Sequence, residues 1–221
     1  MSIKDGKYEE FCENGQLCML EHYKDGKLDG ECKWWYDNGQ LRSHRYYQNG
    51  KLEGLHKEWY ENGQLQCETL HKNGKIEGLR KSWHNDGLLI CELNYKRGLR
   101  DGESKVWDTQ ARILIAHGNY KNAQKHGERK EWYRNGKLAT REYYIKSKLE
   151  GRRKTYYPDG IIREESYYIN GNLVDNNFTI YKKNVWLKIR KKLRWLVNKR
   201  KYKSCLFYIP NVLYQLCLSY L

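Results

Sequence analysis

Proline, phenylalanine and methionine are scarce in this sequence. The 221 residues include 2 Pro, 3 Phe and 2 Met, against 20 Tyr, 8 Trp and 19 Gly. Two prolines exclude a proline-rich linker protein, and so many aromatic rings are untypical of a disordered chain. The composition therefore predicts a thin sheet covered on one side by amphipathic rings, and it disfavours a thick sandwich or a helix bundle.

A secretory leader and a disulfide framework are also missing from the pattern. Residues 1–6 contain no apolar run behind the basic residue, so no secretory signal is predicted. The 7 cysteines are odd in number and form no Cys-x-x-Cys pair. This usage predicts reduced thiols in an intracellular, cytoplasmic protein, with a membrane-peripheral location as the alternative.

Glycines recur with a period of 24 residues, which indicates an internal repeat. One series begins at Gly26, and a second runs from Gly6 to Gly102 and resumes after one inserted residue at Gly127. A third series supplies the predicted turn glycines Gly15, Gly39, Gly63, Gly87, Gly136 and Gly160. Ala111 stands where that series would place another glycine. We count seven copies over residues 1–174 and a decayed eighth that starts near Asp175.

Each copy is predicted to be a β-hairpin. Asn-Gly pairs such as Asn38-Gly39 and Asn62-Gly63 tolerate positive φ, which favours a two-residue turn. Apolar and polar residues alternate on both sides of these pairs, so one face is packed and the other is wet. The predicted inter-repeat core consists of Trp35, Leu41, Tyr47, Trp59, Leu65, Trp83, Leu89, Tyr95, Trp107, Trp132, Leu138, Tyr144 and Tyr156.

An isolated hairpin is marginally stable in water, so the copies must stack on one another. The predicted fold is mainly β: an elongated single-layer array of stacked β-hairpins over residues 1–181, followed by an α-helical tail over residues 182–221. Since such a ribbon has an exposed edge, it can form a homodimer end to end.

One unit reads Gly50-Lys51-Leu52-Glu53-Gly54 and continues as Trp59-Tyr60-Glu61-Asn62-Gly63-Gln64-Leu65. This unit resembles the MORN repeat, and more closely the variant of that repeat in YwqK-like bacterial antitoxins and large DNA virus proteins. The resemblance covers about four fifths of the chain. It implies rows of β-hairpins, protein–protein scaffolding and contact with phospholipid head groups. It implies no chemistry by itself, because MORN-bearing enzymes carry catalysis on separate domains. An antitoxin-like role rests on the resemblance alone.

The tail has a different composition from the array. No acidic residue follows Asp175, and residues 182–203 carry 11 Lys and Arg, so the tail supplies +11 of the net charge of +15. Trp186, Ile189, Leu193 and Leu196 recur at helical spacing, which predicts a basic amphipathic helix. Three interpretations remain open: a cap on the array, an anionic membrane surface, and nucleic acid, which is the least favoured. The candidate membrane- or anion-binding residues are Lys188, Arg190, Lys191, Lys192, Arg194, Lys199, Arg200 and Lys201.

The last 18 residues carry no charge, yet Pro210, Asn211 and Gln215 make them a poor membrane anchor. The segment from Ile209 to Leu221 resembles the opening of an F-box, a Leu-Pro followed by a helix. The resemblance implies docking to the adaptor of a cullin ubiquitin ligase through Ile209, Pro210, Leu213, Leu216 and Leu221. A full F-box is at least twice as long, so a capping helix is the favoured interpretation.

The sequence offers no catalytic or metal-binding constellation. The 7 histidines fall at mostly different repeat positions, and no nucleophile elbow, zinc-protease or phosphate-loop motif occurs. Cys67 and Cys91 share a repeat position, which favours small packed side chains over a metal site. Glu53, Glu77 and Glu150 also share one position and are predicted to form a solvated face. We therefore expect a protein that is not an enzyme and has no cofactor or metal.

The predicted function is a non-catalytic scaffold whose wet face holds a protein partner and whose tail reaches a second one. The alternative is a peripheral protein that binds anionic phospholipid through the tail. An F-box-like ubiquitin-ligase adaptor and an antitoxin-like protein are further alternatives.

Overall fold

The computed structural model describes residues 5–176, and every strand in that range belongs to one sheet of 19 strands with antiparallel pairing. The strands are β1 (Gly6–Phe11), β2 (Leu17–Lys24), β3 (Lys27–Leu28), β4 (Gly30–Trp35), β5 (Leu41–Gln48), β6 (Lys51–Leu52), β7 (Gly54–Trp59), β8 (Leu65–Lys72), β9 (Lys75–Trp83), β10 (Leu89–Lys96), β11 (Leu99–Asp108), β12 (Ile113–Lys121), β13 (Gln124–Lys125), β14 (Gly127–Trp132), β15 (Leu138–Ile145), β16 (Lys148–Leu149), β17 (Gly151–Tyr156), β18 (Ile162–Ile169) and β19 (Asn172–Asn176).

The strands pair in chain order, so each hairpin is followed in the sheet by the next. Within the third copy Leu55 lies opposite Leu70, and His44 of the preceding hairpin lies opposite Lys57. The prediction of a mainly β, open antiparallel array of stacked hairpins is confirmed. The predicted helical tail and the boundary at residue 181 lie outside the described residues.

The Asn-Gly pairs of the third glycine series do not form the two-residue turns that the sequence predicted. The amide of Gly39 donates to the carbonyl of Tyr36 (2.9 Å), and the amide of Tyr36 donates to the carbonyl of Gln40 (2.9 Å). This pattern encloses a three-residue loop in which only the glycine has a positive φ, of 81°. A type I turn followed by a left-handed residue gives that geometry, so Asn38 keeps a negative φ.

The two-residue turns occur instead at the first glycine series. Asn49 and Gly50 have φ values of 49° and 77° and connect the paired residues Gln48 and Lys51. Two consecutive positive φ values define the type I′ turn, whose twist matches the flanking strands. The described residues contain seven such turns: Asp25-Gly26, Asn49-Gly50, Asn73-Gly74, Arg97-Gly98, Asn122-Ala123, Lys146-Ser147 and Asn170-Gly171.

The inserted residue of the fifth copy is absorbed within one turn. Asp108 pairs with Ile113 across a four-residue loop, and the left-handed residue there is Arg112, with φ of 54°. The Asp108 carboxylate accepts the amide of Ala111 (2.8 Å) and an N–H of Arg134 (2.7 Å). These contacts lower the pKa of the Asp108 carboxyl, the amide of Ala111 having the larger effect. The loop therefore needs no glycine at position 111.

One cysteine pair contradicts the expectation of reduced thiols. Cys12 and Cys18 form a disulfide across the first three-residue loop, with Cα atoms 5.5 Å apart. Cys12 and Cys18 lie close together because the hairpin brings the ends of β1 and β2 next to each other. This proximity does not depend on how many cysteines the chain has. Cys32, Cys67 and Cys91 carry free thiols.

Candidate interaction surface

The strand pairing divides the side chains of the sheet into two faces. Lys57 lies opposite Glu68, and their side chains form an ion pair of 3.0 Å. The neighbouring residues Cys67 and Thr69 point to the other face and are both buried. We call the first side the charged face and the second the packed face.

Small side chains are the most buried part of the packed face. The buried residues of the described sheet include Cys32, Ser43, Cys67, Thr69, Leu93, Ser104 and Ser166. Every residue of the predicted Trp, Leu and Tyr core is half-buried. A single sheet has no second layer to enclose a large ring, so the rings cover the small side chains and remain partly exposed themselves. Trp34, for example, stacks on the Arg45 guanidinium at 5.1 Å.

A polar cluster lies on the packed face across the second and third hairpins. The Arg45 guanidinium contacts both His56 Nε2 (3.1 Å) and the Glu58 carboxylate (3.0 Å). The His71 ring lies 5.6 Å from the His56 ring. Burial, with Arg45 next in effect, lowers the pKa of His56 to about 4, and burial also lowers the pKa of His71. Both rings are therefore neutral at pH 7 and pack as polar core groups.

Hydrogen bonds from most of the three-residue loops to the next loop connect successive copies. The Tyr36 hydroxyl donates to the carbonyl of Trp59 (2.9 Å), and the Tyr60 hydroxyl donates to the carbonyl of Trp83 (2.9 Å). The Asn38 amide likewise donates to the carbonyl of Glu61 (3.0 Å). The repeated Tyr and Asn therefore hold neighbouring hairpins together, a role that the turn interpretation did not assign to them.

The repeated carboxylates also have a structural role that the sequence interpretation missed. Glu53 accepts the backbone amide of Asn73 (2.7 Å), Glu77 accepts that of Arg97 (2.7 Å), and Glu150 accepts that of Asn170 (2.8 Å). Each contact caps the type I′ turn of the following copy. The signal was present in the sequence, because Asp or Glu precedes the second-series glycine in most copies.

The charged face is largely neutralised by ion pairs along its centre. Lys33 and His44 lower the pKa of the Glu31 carboxyl, and Lys105 and His117 do the same for Glu103. Farther along the sheet, similar pairs join Lys57 to Glu68 and Lys81 to Glu92. This row therefore presents little net charge to a partner.

An exposed apolar row interrupts the charged face beside these ion pairs. Leu55 and Leu70 lie directly opposite each other. Tyr46 lies two residues beyond His44 on the strand next to Leu55. Leu79 lies two residues from Lys81 on the strand next to Leu70, whose direct partner on that strand is Glu77. Their exposed fractions are 49% for Tyr46, 46% for Leu55, 43% for Leu70 and 41% for Leu79. We call these four residues the apolar row.

Lysines border the apolar row on the side of the type I′ turns. Lys51, Lys72, Lys75 and Lys96 are all exposed, and none forms an ion pair with a described residue. Lys72 and Lys75 lie opposite each other across one turn. The carboxylates Glu53 and Glu77 at this edge accept backbone amides. The four lysines outnumber these two carboxylates, so the edge is positive; we call the four lysines the lysine edge.

Other predicted site residues contribute no described site. The eight basic tail residues and the five F-box-like residues lie outside residues 5–176. Cys67 and Cys91 flank Ser82 on neighbouring strands, and the structure does not group them for metal binding. The one candidate metal group in the described range contains Cys12, Cys18 and Asp37, and its two sulfurs are joined in the disulfide.

No helix long and apolar enough to cross a bilayer occurs within the described range.

A shallow depression lined by Tyr60, Glu61, Asn62 and Asn85 is open to solvent.

The fold and its exposed rows define a class of protein: an open array of hairpin repeats with one packed and one charged face. Within this class, the sequence model of the MORN repeat variant matches residues 4–25, 28–49, 52–73, 125–146 and 149–170. Five stretches of the chain therefore resemble MORN-variant repeats, and residues 74–124 between them continue the hairpin array. No curated protein matches the chain.

Proposed function

We propose that this protein is a non-catalytic scaffold that binds another protein through the charged face of its repeat array. MORN repeats are commonly interaction scaffolds for proteins or membranes and are generally non-catalytic. The finer proposal is that the apolar row is the contact surface.

The exposure of the apolar row carries this proposal. Four large apolar side chains lie side by side on strands β5, β7, β8 and β9, each more than two fifths exposed. Scattered apolar residues are normal on a protein surface, whereas a contiguous patch rimmed by polar groups marks an interaction site. The polar rim here is the row of ion pairs on one side and the lysine edge on the other.

The test is affinity purification with mass spectrometry of the full chain and two variants. Leu55→Ser with Leu70→Ser removes the centre of the apolar row, while Ile161→Ser with Ile169→Ser removes two side chains of similar exposure elsewhere. We expect the first variant to lose a defined partner and the second to retain it. Equal recovery by both variants would show that the row binds nothing.

Attachment of the tail to an anionic membrane is the second candidate, and the concentrated charge of residues 182–203 supports it. A surface of anionic lipid attracts each nearby Lys or Arg by about 1 kcal/mol and less at high salt. Neutralising Lys191, Lys192 and Arg194 to Gln should then release the protein from vesicles with phosphatidylserine.

We propose a cytoplasmic location for both candidate functions. If the tail binds a membrane, the protein is peripheral to that membrane.

The F-box-like and antitoxin-like roles are proposals that rest on sequence resemblance. Recovery of a cullin-ligase adaptor by the full chain, and its loss on Leu213→Ser with Leu216→Ser, would support the first role. If this double variant recovers the adaptor as well as the unaltered chain does, docking through these positions is excluded. Kinship with bacterial or viral relatives is likewise a proposal.

A further inference from the structure

We propose that the apolar row and the lysine edge together bind an acidic amphipathic α-helix of a partner protein, lying across strands β5 to β9. This inference rests on the proposed scaffold function and assigns the chemistry of its partner. Two observations carry it: the spacing of the apolar row and the charge on either side of it.

The spacing of the apolar row matches a helix better than an extended strand. Neighbouring strands lie about 4.8 Å apart, so four side chains on successive strands span about 14 Å across the sheet. A helix advances 5.4 Å per turn and presents one apolar position to the surface in each turn, so about ten residues cover the row. An extended segment repeats its side chains on one face only every 6.6–6.8 Å.

The charge on the two sides of the row selects an acidic partner. On the turn side, Lys51, Lys72, Lys75 and Lys96 have no described ion-pair partner and can reach carboxylates along one flank of the helix. On the opposite side, the Lys57–Glu68 and Lys81–Glu92 pairs are already neutralised. A helix with acidic residues on one flank and neutral residues on the other is therefore complementary to this surface.

The same arrangement disfavours an anionic membrane as the occupant. Anionic head groups would surround an inserted apolar row on both sides, and on the side opposite the lysines the Lys57–Glu68 and Lys81–Glu92 pairs offer them no net positive charge. The lysine positions of other copies, such as Lys24, Lys27 and Lys121, have the same turn geometry but no apolar row beside them. A broad surface would use all of these lysines, whereas one short helix uses only the four beside the row.

The probe is a synthetic helical peptide of about 14 residues with one leucine per turn and glutamates along one flank. A second peptide carries lysine in place of glutamate. Binding to the full chain is measured by fluorescence anisotropy at low and at physiological salt. We expect the acidic peptide to bind and the basic peptide to bind at least tenfold more weakly, since like charges oppose each other at the lysine edge.

Three variants locate the binding site. We expect Leu55→Ser with Leu70→Ser to weaken binding of the acidic peptide about tenfold or more, because the apolar contacts are lost. Lys72→Gln with Lys75→Gln should weaken binding about threefold or more. The matched variant Lys24→Gln with Lys27→Gln changes the same two repeat positions, away from the apolar row, and should bind like the unaltered chain.

Two results would overturn the helix proposal. One is an equal loss for the two lysine variants or an unchanged affinity for the leucine variant, which would assign binding to general charge, including that of the tail. The other is competition by phosphatidylserine vesicles that depends on Leu55 and Leu70, which would assign the row to a membrane. If the affinity purification still yields a partner that requires the row, the scaffold function stands and only the helix is excluded.

Discussion

Individual backbone conformations decide which residues the turns accept. Ala123 has φ of 64°, at a position where five of the seven type I′ turns have glycine. A residue with a Cβ atom in this left-handed region costs roughly 1–2 kcal/mol. The chain therefore tolerates alanine here at the expense of some stability.

We expect Ala123→Gly to stabilise the array and Gly74→Ala to destabilise it, each by about 1 kcal/mol. A Cβ at Gly74 would meet only the Lys51 Cβ, at 3.9 Å, so its effect comes from φ and involves no steric clash. Chemical denaturation monitored by circular dichroism measures both changes. Destabilisation by Ala123→Gly would contradict the assigned turn geometry.

Single residues also show how far the sequence could predict the structure. The Asn-Gly pairs correctly indicated hairpins, but Asn49-Gly50 and Asn38-Gly39 carry the same dipeptide and form different turns. Loop length decides between them, and it depends on which residues of the flanking strands pair. That pairing is a property of the assembled sheet, so the local sequence could not supply it.

At the scale of the strands, the packed face contains a pH-sensitive junction. His56 lies on β7, Arg45 on β5 and His71 on β8, so one cluster joins three strands of two hairpins. Protonation of either histidine would place a second cation beside Arg45. The pKa of His56 is lowered to about 4 in the folded chain from its ordinary value of 6.5.

The unfolded chain therefore binds more protons than the folded one below pH 6.5, and stability falls as the pH drops from about 6.5 to about 4. For His56 alone we expect a loss of about 2 kcal/mol between pH 7 and pH 5. His56→Gln should remove most of this pH dependence. Denaturation midpoints at the two pH values measure it, and His22→Gln, outside the cluster, is the control. An equal pH dependence in the unaltered chain and His56→Gln would exclude the cluster as its source.

The exposed rows could not be predicted from one repeat. Leu55 and Leu79 occupy a position that holds Glu31 and Glu103 in other copies, and Leu70 occupies one that holds Asn94. A period common to all copies draws attention to what they share, whereas the apolar row arises where the third and fourth copies depart from it. Only the strand pairing shows that these departures are adjacent in space.

For the array as a whole, contacts run from each copy to the next. Tyr36 donates to Trp59, and Glu53 caps the turn at Asn73. Stability in such an array is close to a sum over units and their interfaces. Removal of one whole unit should therefore preserve the same kinds of contact between the copies that remain.

We expect deletion of residues 50–73 to give a folded array with proportionally lower stability. Tyr36 would then face Trp83, which has the same repeat position as Trp59, while Asp29 would still cap the turn at Asn49 and Glu77 the turn at Arg97. The dependence of unfolding on denaturant should fall with the buried area. The deletion also removes Leu55 and Leu70, so binding of the acidic peptide should be lost.

A deletion of residues 50–61, half a unit, is the control, because it joins positions that do not correspond. We expect it to unfold or aggregate. A half-unit deletion as stable as the whole-unit deletion would mean that the contacts between copies do not determine the register.

The loop of the fifth copy accommodates one extra residue without altering the next hairpin. This tolerance affects how genes of this kind can evolve. Insertion or loss of one codon changes only one turn. Duplication or loss of a whole unit in frame joins ends that occupy corresponding repeat positions. Lineages of such genes can therefore vary in repeat number while each repeat diverges on its own. New surfaces such as the one at Leu55 and Leu70 then arise by drift in a few neighbouring copies, with the rest of the ribbon unchanged.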